Sequence, residues 1–326
     1  MLSISKREPL SPRLLLSLSN MRYDFNPEAQ EGLQEKINES VIYSGVYEDN
    51  ESVRSLVIEE GIEEIAENAF RDFECLEEIS LPKSLTRVSS CAFSGCKNLK
   101  KVSFSSGLGE IGDEAFAFCS SLLSVILPDT VKRIGEGAFE GCASLSNLKL
   151  SETLISIGSG AFAFCFNLRE VCVPDSVMLI EFNAFASCFS LEGVKLSNTM
   201  GMIDESTFEG CRALKVVDMP SKLYKIGRRA FRGCSSLESL ILPITLREIG
   251  FDAFSGCRSL KRLAMPKSLI EMEDSDVFSG CDSLTEIAYA GSRDDWEYLT
   301  RGKALTVTRT DLSVYTPKIH CLDLKK

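Results

Sequence analysis

The chain has 326 residues, of which 44% are hydrophobic and 25% charged, and it carries a net charge of −11 at pH 7. This excess of negative charge repels the phosphate backbone of nucleic acids, so DNA and RNA are poor candidate partners. No apolar run in the sequence approaches the roughly 20 residues that a membrane-spanning helix needs, and we therefore predict no membrane span.

The first residues have the order of a secretory signal without its full length. Lys6, Arg7 and Arg13 precede the apolar run at 14–18. That run is shorter than the usual core of a signal peptide, and no Ala-x-Ala-like cleavage site follows it. We therefore expect no cleavable signal and a cytoplasmic location, with a secreted or cell-surface location as the alternative.

Residues 1–60 are predicted to form an N-terminal segment and cap. Asn26 and the proline and glutamate after it have the order of a helix N-cap and first turn, which predicts an amphipathic helix near 27–39. Met21 lies shortly before this helix. The sequence therefore leaves the true start open between Met1 and Met21.

Phenylalanine recurs with a period of 23 residues through most of the remaining chain. The positions are Phe70, Phe93, Phe116, Phe139, Phe162, Phe185, Phe208, Phe231 and Phe254, with Phe278 one residue late. Cysteine stands three positions after most of them, at Cys96, Cys119, Cys142, Cys165, Cys188, Cys211, Cys234, Cys257 and Cys281. Self-similarity at a fixed period is the signature of a solenoid in which every unit repeats one supersecondary element.

Each unit is predicted to form one coil of strand, turn, short strand and helical turn. In the coil from Leu122 to Ser144, apolar residues alternate with a period near two, which predicts a strand with one inward face. A second short stretch ends at a recurrent Ile-Gly pair, where we expect a positive φ angle. These glycines are Gly112, Gly135, Gly158, Gly227 and Gly250. The apolar residues after each glycine have the spacing of an inward-facing helical turn.

One coil alone buries too little apolar surface to fold, so stability must accumulate along the stack and both ends need caps. The extra residue between Glu273 and Val277 is predicted to form a local bulge, because Leu284 and Ile287 resume the repeat. We expect Trp296 and its neighbours to cap the last coil rather than bind a ligand.

The repeated pattern L-x-x-V-x-L-P-x-S-L-x-x-I-G-x-x-A-F-x-G-C resembles the BspA-like, or Treponema pallidum-type, leucine-rich repeat. The resemblance covers Gly61 to about Ala290, and the tail from Tyr289 to Trp296, with His320 to Asp323, is similar to the ending of such arrays in gut bacteria. It implies an α/β solenoid of about ten coils with parallel strands and short helical turns, capped at both ends. The array would occupy 61–290 and the C-terminal cap 291–326.

The thirteen cysteines are predicted to be free rather than bridged or metal-bound. Nine of them occupy one equivalent interior slot, where parallel side chains have the wrong orientation for a disulfide. The chain has no C-x-x-C pair and a single histidine, His320, so no metal site is predicted. Cys75, Cys91, Cys172 and Cys321 lie outside the slot and their redox state is open, with Cys172 the most exposed candidate.

No pattern in the sequence indicates an enzyme. A Ser-His-Asp or Cys-His arrangement needs an imidazole, and the only one lies in the predicted C-terminal cap. There is no phosphate-binding G-x-x-x-x-G-K-[ST] loop, and the recurrent glycines belong to the coil. We therefore predict no catalytic residues and no cofactor.

Two classes of binding protein remain. The first is an intracellular, monomeric scaffold that presents its repeat surface to a protein partner, and unbridged thiols favour it. The second is an exported bacterial surface adhesin that binds a host or matrix protein, which the family resemblance implies. The sequence does not identify the ligand.

The outward positions of the middle coils change character and form the candidate partner-binding site. Aromatic residues replace the glycine or polar residue of other coils at Phe118, Phe164, Phe166 and Phe189. Apolar residues replace polar ones on the second strand at Ile155, Met178 and Leu179. Exposed aromatic patches are common anchors of protein interfaces. The alternative is that these residues fill gaps between coils or cover one another.

Overall fold

A computed structural model describes residues 2–4, 41–42, 53–273, 275–301, 305–311 and 313–322. The described residues form a solenoid of stacked coils with a period near 23 residues, and the predicted fold class is confirmed. The predicted helix near 27–39 and the signal-like run at 14–18 lie outside the described residues.

The first strand of each coil contributes to a parallel ladder along one side of the solenoid. Its members are Leu2–Ile4, Ser55–Ile58, Glu78–Ser80, Lys101–Ser103, Ser124–Ile126, Asn147–Lys149, Glu170–Cys172, Gly193–Lys195, Val216–Asp218, Ser239–Ile241, Arg262–Met265, Glu286–Tyr289 and Lys318–Cys321. Interruptions in the hydrogen bonding divide this first ladder into three sheets. The middle residue of each typical strand points inward, as Ile79 and Val102 do, and the two are paired in register.

The short second strands form another parallel ladder. They are Val41–Ile42, Glu64–Ile65, Arg87–Val88, Glu110–Ile111, Arg133–Ile134, Ser156–Ile157, Leu179–Ile180, Met202–Ile203, Lys225–Ile226, Glu248–Ile249 and Glu271–Met272. In each described pair the first residue faces outward and the second inward, since successive side chains of a strand point to opposite faces. This second ladder therefore presents a column of outward residues that changes from coil to coil.

Two strands near the N-terminus extend the first and second ladders. These strands, Leu2–Ile4 and Val41–Ile42, pair with the first and second strands of the next coil. Residues 5–40 separate these two strands, whereas only 59–63 separate the corresponding strands of the next coil. Val41 and its partner Glu64 are 23 residues apart, which is the spacing of the repeat.

From Phe70 to Phe254, the segment around each phenylalanine of the repeat is a series of turns rather than the predicted helical turn. The residues two before and two after each of these phenylalanines adopt positive φ angles, as at Gly137 and Gly141. This alternation points every second N–H toward the next coil, so that Phe93 N–H donates to the Ala115 carbonyl oxygen at 2.8 Å. The turns therefore form a third ladder, which we call the turn ladder.

The prediction of positive φ at the Ile-Gly glycines is wrong. Gly112 and its equivalents do not adopt left-handed backbone. Instead, neighbouring coils approach closely there, since a Cβ atom on Gly112 would lie 2.8 Å from the carbonyl carbon of Ser89. Glycine is favoured at this place because the space between the coils is too small for a Cβ atom.

The phenylalanines form a continuous stack along the interior. Their ring centroids are 5.1 to 5.8 Å apart, and neighbouring rings are nearly parallel. One buried cluster runs from Leu56 to Val307. The extra residue of the last full coil is absorbed by a 3-10 helix, Ser275–Phe278, and the first ladder resumes at Glu286–Tyr289. The array therefore continues past the irregular coil, as predicted.

A short helix covers the end of the array. This helix, α1, spans Arg293–Leu299 and begins with a capping box in which Ser292 and Asp295 bond reciprocally. Its Trp296 packs against Tyr289 with ring centroids 5.3 Å apart. An antiparallel pair, Val307–Thr308 with Val314–Tyr315, follows. Within the described residues, no helix has the length and apolar character required to cross a bilayer.

Candidate functional site

Three of the predicted site residues form an aromatic row on the turn ladder, comprising Phe164, Phe166 and Phe189. Phe164 meets Phe166 edge to face with centroids 6.3 Å apart, and Phe166 stacks on Phe189 at 4.9 Å. The guanidinium carbon of Arg212 lies 4.6 Å from the centre of the Phe189 ring. The row thus crosses adjacent coils and ends in a cation.

Local backbone geometry makes the aromatic row unusual. Phe164 has a φ of 60°, in the position where most other coils carry glycine. A left-handed conformation costs an L-residue roughly 1–2 kcal/mol. Phe164 and Phe166 are nevertheless 43% and 37% exposed, so burial of these rings within the solenoid does not account for the aromatic choice.

Phe118 lies apart from the aromatic row. It is 51% exposed and shares the left-handed backbone of Phe164, but the coil between them carries Gly141 at the same place. Its ring leans over that glycine, because a Cβ on Gly141 would lie 2.7 Å from the ring carbon Cδ1 of Phe118. Phe118 therefore covers the neighbouring backbone.

The predicted second-strand residues form an apolar patch on the second ladder. Ile155 and Met178 are neighbours in adjacent coils, joined by a 2.9 Å hydrogen bond from Met178 N–H to the Ile155 carbonyl oxygen. Leu179 lies beside Met178, and all three side chains are exposed. The structure brings these three predicted residues together. No ring contact among the described residues connects them to the aromatic row.

Two exposed aromatic residues of the same region were missed from the sequence. Tyr224 occupies the outward column of Met178, two coils further on, and its ring crosses Gly201 in the intervening coil. A Cβ on Gly201 would lie 2.6 Å from Tyr224 Cε1. Phe182, which follows the second strand of its coil, is also exposed. The sequence signal that could have found Tyr224 is that Gly201 occupies the same repeat position in the preceding coil.

Charged side chains alternate along the flank of the first ladder. Glu77 lies between Arg54 and Lys100, with ion-pair distances of 2.7 and 2.8 Å. Hydrogen bonds from Lys100 and Arg54 hold the pKa of Glu77 below its usual range. Similar pairs join Lys215 to Glu192 at 2.9 Å and Lys261 to Glu238 at 3.1 Å. These alternating charged side chains form a solvent-exposed face along the solenoid.

The charged flank is interrupted in the middle coils, where Leu123 and Ser146 occupy the equivalent positions. Leu123 is exposed, as is Ile126 in the same coil. This break lies near the coils that carry the aromatic row and the apolar patch. It was also missed from the sequence.

The cysteines of the interior slot are buried and unbridged. Burial raises the pKa of Cys188 from 9.0 to about 12. Such thiols are poor nucleophiles at neutral pH, since the thiolate is the reactive form. All thirteen cysteines are free; Cys172 is exposed, as predicted, and Cys75, Cys91 and Cys321 are half-buried. In the described part of the chain, no group of three His, Cys, Asp or Glu residues is placed to hold a metal ion.

The coil geometry agrees with a direct family comparison. The model of the BspA type leucine-rich repeat region matches residues 40–143, 110–237 and 201–296. The chain belongs to this family. The BspA-type match extends over most of the chain and includes every coil that carries a predicted site residue. No match is found among curated proteins.

Solved structures of bacterial leucine-rich repeat proteins are similar to this chain. A leucine-rich cell surface protein from Faecalibacterium prausnitzii is 26% identical, with 76% of this chain and 81% of that chain covered and a TM-score of 0.41. The Treponema pallidum leucine-rich repeat protein is 28% identical, with coverage of 57% and 78% and a TM-score of 0.43. The pneumococcal vaccine antigen PcpA is 20% identical, with coverage of 86% and 82% and a TM-score of 0.50.

Proposed function

We propose that this BspA-type protein is a non-enzymatic scaffold that binds a protein partner through its middle coils. The observation that supports it most is the aromatic row, in which Phe164 meets Phe166 edge to face, Phe166 stacks on Phe189 and Arg212 closes one end. Aromatic and arginine side chains are enriched among the residues that dominate protein interfaces. The apolar patch at Ile155, Met178 and Leu179 offers a second contact on the same coils.

Rigidity favours this use of the row. The flanking backbone is held by the turn ladder, with Phe164 N–H bonded to the Ala186 carbonyl oxygen at 2.9 Å. Stacked rings lose little conformational freedom on binding, so more of the contact energy is retained in the complex. Solenoids use the extended surfaces of adjacent repeats for this kind of recognition.

Replacement of Phe164, Phe166 and Phe189 by serine tests the proposal. Partners captured with the wild-type protein from its source cells are purified, and their affinity is compared for wild type and variant. We expect an unfolding midpoint close to that of wild type and loss of binding. A Phe118→Ser variant is the control, because it removes an exposed ring outside the row. A large loss of stability in the triple variant, or unchanged affinity, would contradict the proposal.

A second candidate is an exported surface adhesin that binds a host or matrix protein. Membership in the BspA-type family favours it over a cytoplasmic scaffold, and one of the similar structures is described as a cell surface protein. Protease treatment of intact cells separates the two. An adhesin is digested before lysis, whereas a cytoplasmic protein is protected until the cells are broken.

A further inference from the structure

The three ladders do not end at the same coil. Lys318–Cys321 extends the first ladder beyond Glu286–Tyr289, and Gly280 N–H donates to the Thr308 carbonyl oxygen to extend the turn ladder. Among the described residues, the second ladder has no strand after Glu271–Met272. In the sequence, α1 occupies the position at which the second strand of the next coil would be expected. One of the three ladders therefore ends one coil early.

The edge at Glu271–Met272 presents hydrogen-bond acceptors in strand register. One coil earlier, the Arg247 carbonyl oxygen accepts from Ile270 N–H at 3.0 Å, and the Ile249 oxygen accepts from Glu273 N–H at 3.0 Å. The equivalent acceptors at the edge are the carbonyl oxygens of Ile270 and Met272. No backbone N–H of the described residues donates to either oxygen. Such an edge can accept an additional strand.

A groove lies along this edge. Its residues are Ile270, Glu271 and Met272 from the strand and Tyr298, Leu299 and Arg301 from the end of α1. Ile270 is 59% exposed and Tyr298 is 79% exposed, whereas Leu299 is buried. An incoming strand would thus find apolar side chains at its inward face and a carboxylate at its outward face.

The outward column of the second ladder indicates which charge fits beside Glu271. In the first coils glutamate and arginine alternate in register, with Glu110 paired to Arg133. Near the end, Lys225 forms a 2.9 Å ion pair with Glu248, but Glu248 is followed by Glu271, of the same sign. No described cation forms an ion pair with Glu271. Opposite charges at directly paired strand positions are stabilising, whereas like charges are destabilising.

We infer that the groove beside Glu271–Met272 binds an extended peptide by strand addition, with a basic residue opposite Glu271 and an apolar residue after it. The basic residue neutralises Glu271, and the apolar residue packs on Met272. The net charge of −11 attracts basic segments to the protein. The chain itself uses this arrangement at Arg133–Ile134, which pairs with Glu110–Ile111.

A synthetic peptide with the sequence of residues 128–136, labelled with fluorescein, is a direct probe. In the solenoid, the N–H groups of Lys132 and Gly135 donate to the preceding coil at 2.9 and 2.8 Å. The same two groups would donate to the Ile270 and Met272 oxygens. We expect saturable binding by fluorescence polarisation. Methylation of these two peptide nitrogens should weaken binding by roughly tenfold or more, because both hydrogen bonds are lost.

Charge exchange tests the side-chain pairing. Glu271→Lys in the protein should weaken binding of the peptide by about fivefold. A peptide with glutamate in place of the arginine should bind the wild type weakly and the Glu271→Lys variant better. Glu170→Lys, an equal charge change at an exposed site on the first ladder, should leave binding unchanged. The variant with serine at Phe164, Phe166 and Phe189 should also bind the peptide normally. The test of the groove is therefore independent of the test of the proposed function.

Two results would overturn the inference. Equal binding of the methylated peptide would show that no strand is added at the edge. Self-association of the protein that the peptide competes away would show that a second copy occupies the groove. Binding of the peptide that carries glutamate in place of the arginine is also measured with the wild-type protein. The test of charge pairing therefore does not depend on the folding of the Glu271→Lys variant.

Discussion

The thiol of Cys188 donates to the carbonyl oxygen of Phe162, one coil earlier, with an S–O distance of 3.2 Å. The same contact recurs for all nine cysteines of the interior slot, at 3.1 to 3.4 Å. Cysteine suits this slot because it is small, apolar and a weak hydrogen-bond donor. The contact links each coil to the preceding phenylalanine.

Stability is expected to fall at alkaline pH. Burial raises the pKa of Cys188 from 9.0 to about 12, so the folded state holds the thiol proton more tightly than the unfolded state. The resulting stabilisation is complete below the unfolded pKa and is lost as the pH rises from 9 toward 12. Urea unfolding at a series of pH values measures this slope. A Cys188→Ala variant should show a shallower decline, and an unchanged slope would contradict the assignment.

Removal of one interior ring should destabilise the whole stack. Phe185 is fully buried between Phe162 and Phe208, with ring centroids 5.4 and 5.7 Å away. Phe185→Ala should lower the free energy of unfolding by about 3–5 kcal/mol, because a large cavity forms in a rigid core. Urea denaturation checks this value.

Phe118→Gly is the matched control for the interior ring. It removes an exposed phenylalanine with a φ of 59°, a backbone conformation that glycine adopts readily. We expect a free energy of unfolding within about 1 kcal/mol of wild type, since relief of the left-handed backbone offsets the lost contact. Equal losses from the two variants would show that exposure does not separate core from surface phenylalanines.

The interior columns and the residues of the aromatic row were predictable from the sequence, whereas other contacts between coils were not. Phe93 and Cys96 identify the inward face, because phenylalanine and cysteine recur at these two positions every 23 residues. The role of Gly112 was misread, since close approach between coils leaves no trace in one coil's own pattern. Tyr224 was missed because its contact depends on the side-chain direction across Gly201, which periodicity does not specify.

Two glycines of the array should respond differently to alanine. A Cβ at Gly112 would lie 2.8 Å from the carbonyl carbon of Ser89, whereas nothing lies within 4 Å of a Cβ at Gly193. Gly112→Ala should lower the free energy of unfolding by about 1–3 kcal/mol, because the backbones must separate. Gly193→Ala should be neutral or stabilising by up to about 1 kcal/mol. Thermal unfolding compares the two, and equal effects would argue against coil spacing as the reason for glycine at 112.

The helix α1 is expected to stabilise the last coil. Trp296 is buried against Tyr289, whereas Tyr298 on the same helix is exposed. Trp296→Ala should lower the free energy of unfolding by about 3–5 kcal/mol, and Tyr298→Ala should change it by less than about 0.5 kcal/mol. Truncation before Gly291 should reduce solubility, because the apolar end of the last coil would then be exposed to water. If the truncated protein kept its stability but lost a partner, α1 would be a binding element instead.

A thiol count in native and denatured protein tests the continuous, unbridged core most directly. Under non-reducing denaturation we expect all thirteen thiols to react, because every cysteine is free. In native buffer the nine interior thiols should stay unreactive, and rapid labelling should be confined to Cys172 and the half-buried Cys75, Cys91 and Cys321. Nine thiols missing after denaturation would mean disulfides, and rapid native labelling of the interior cysteines would mean that the coils do not form one closed core.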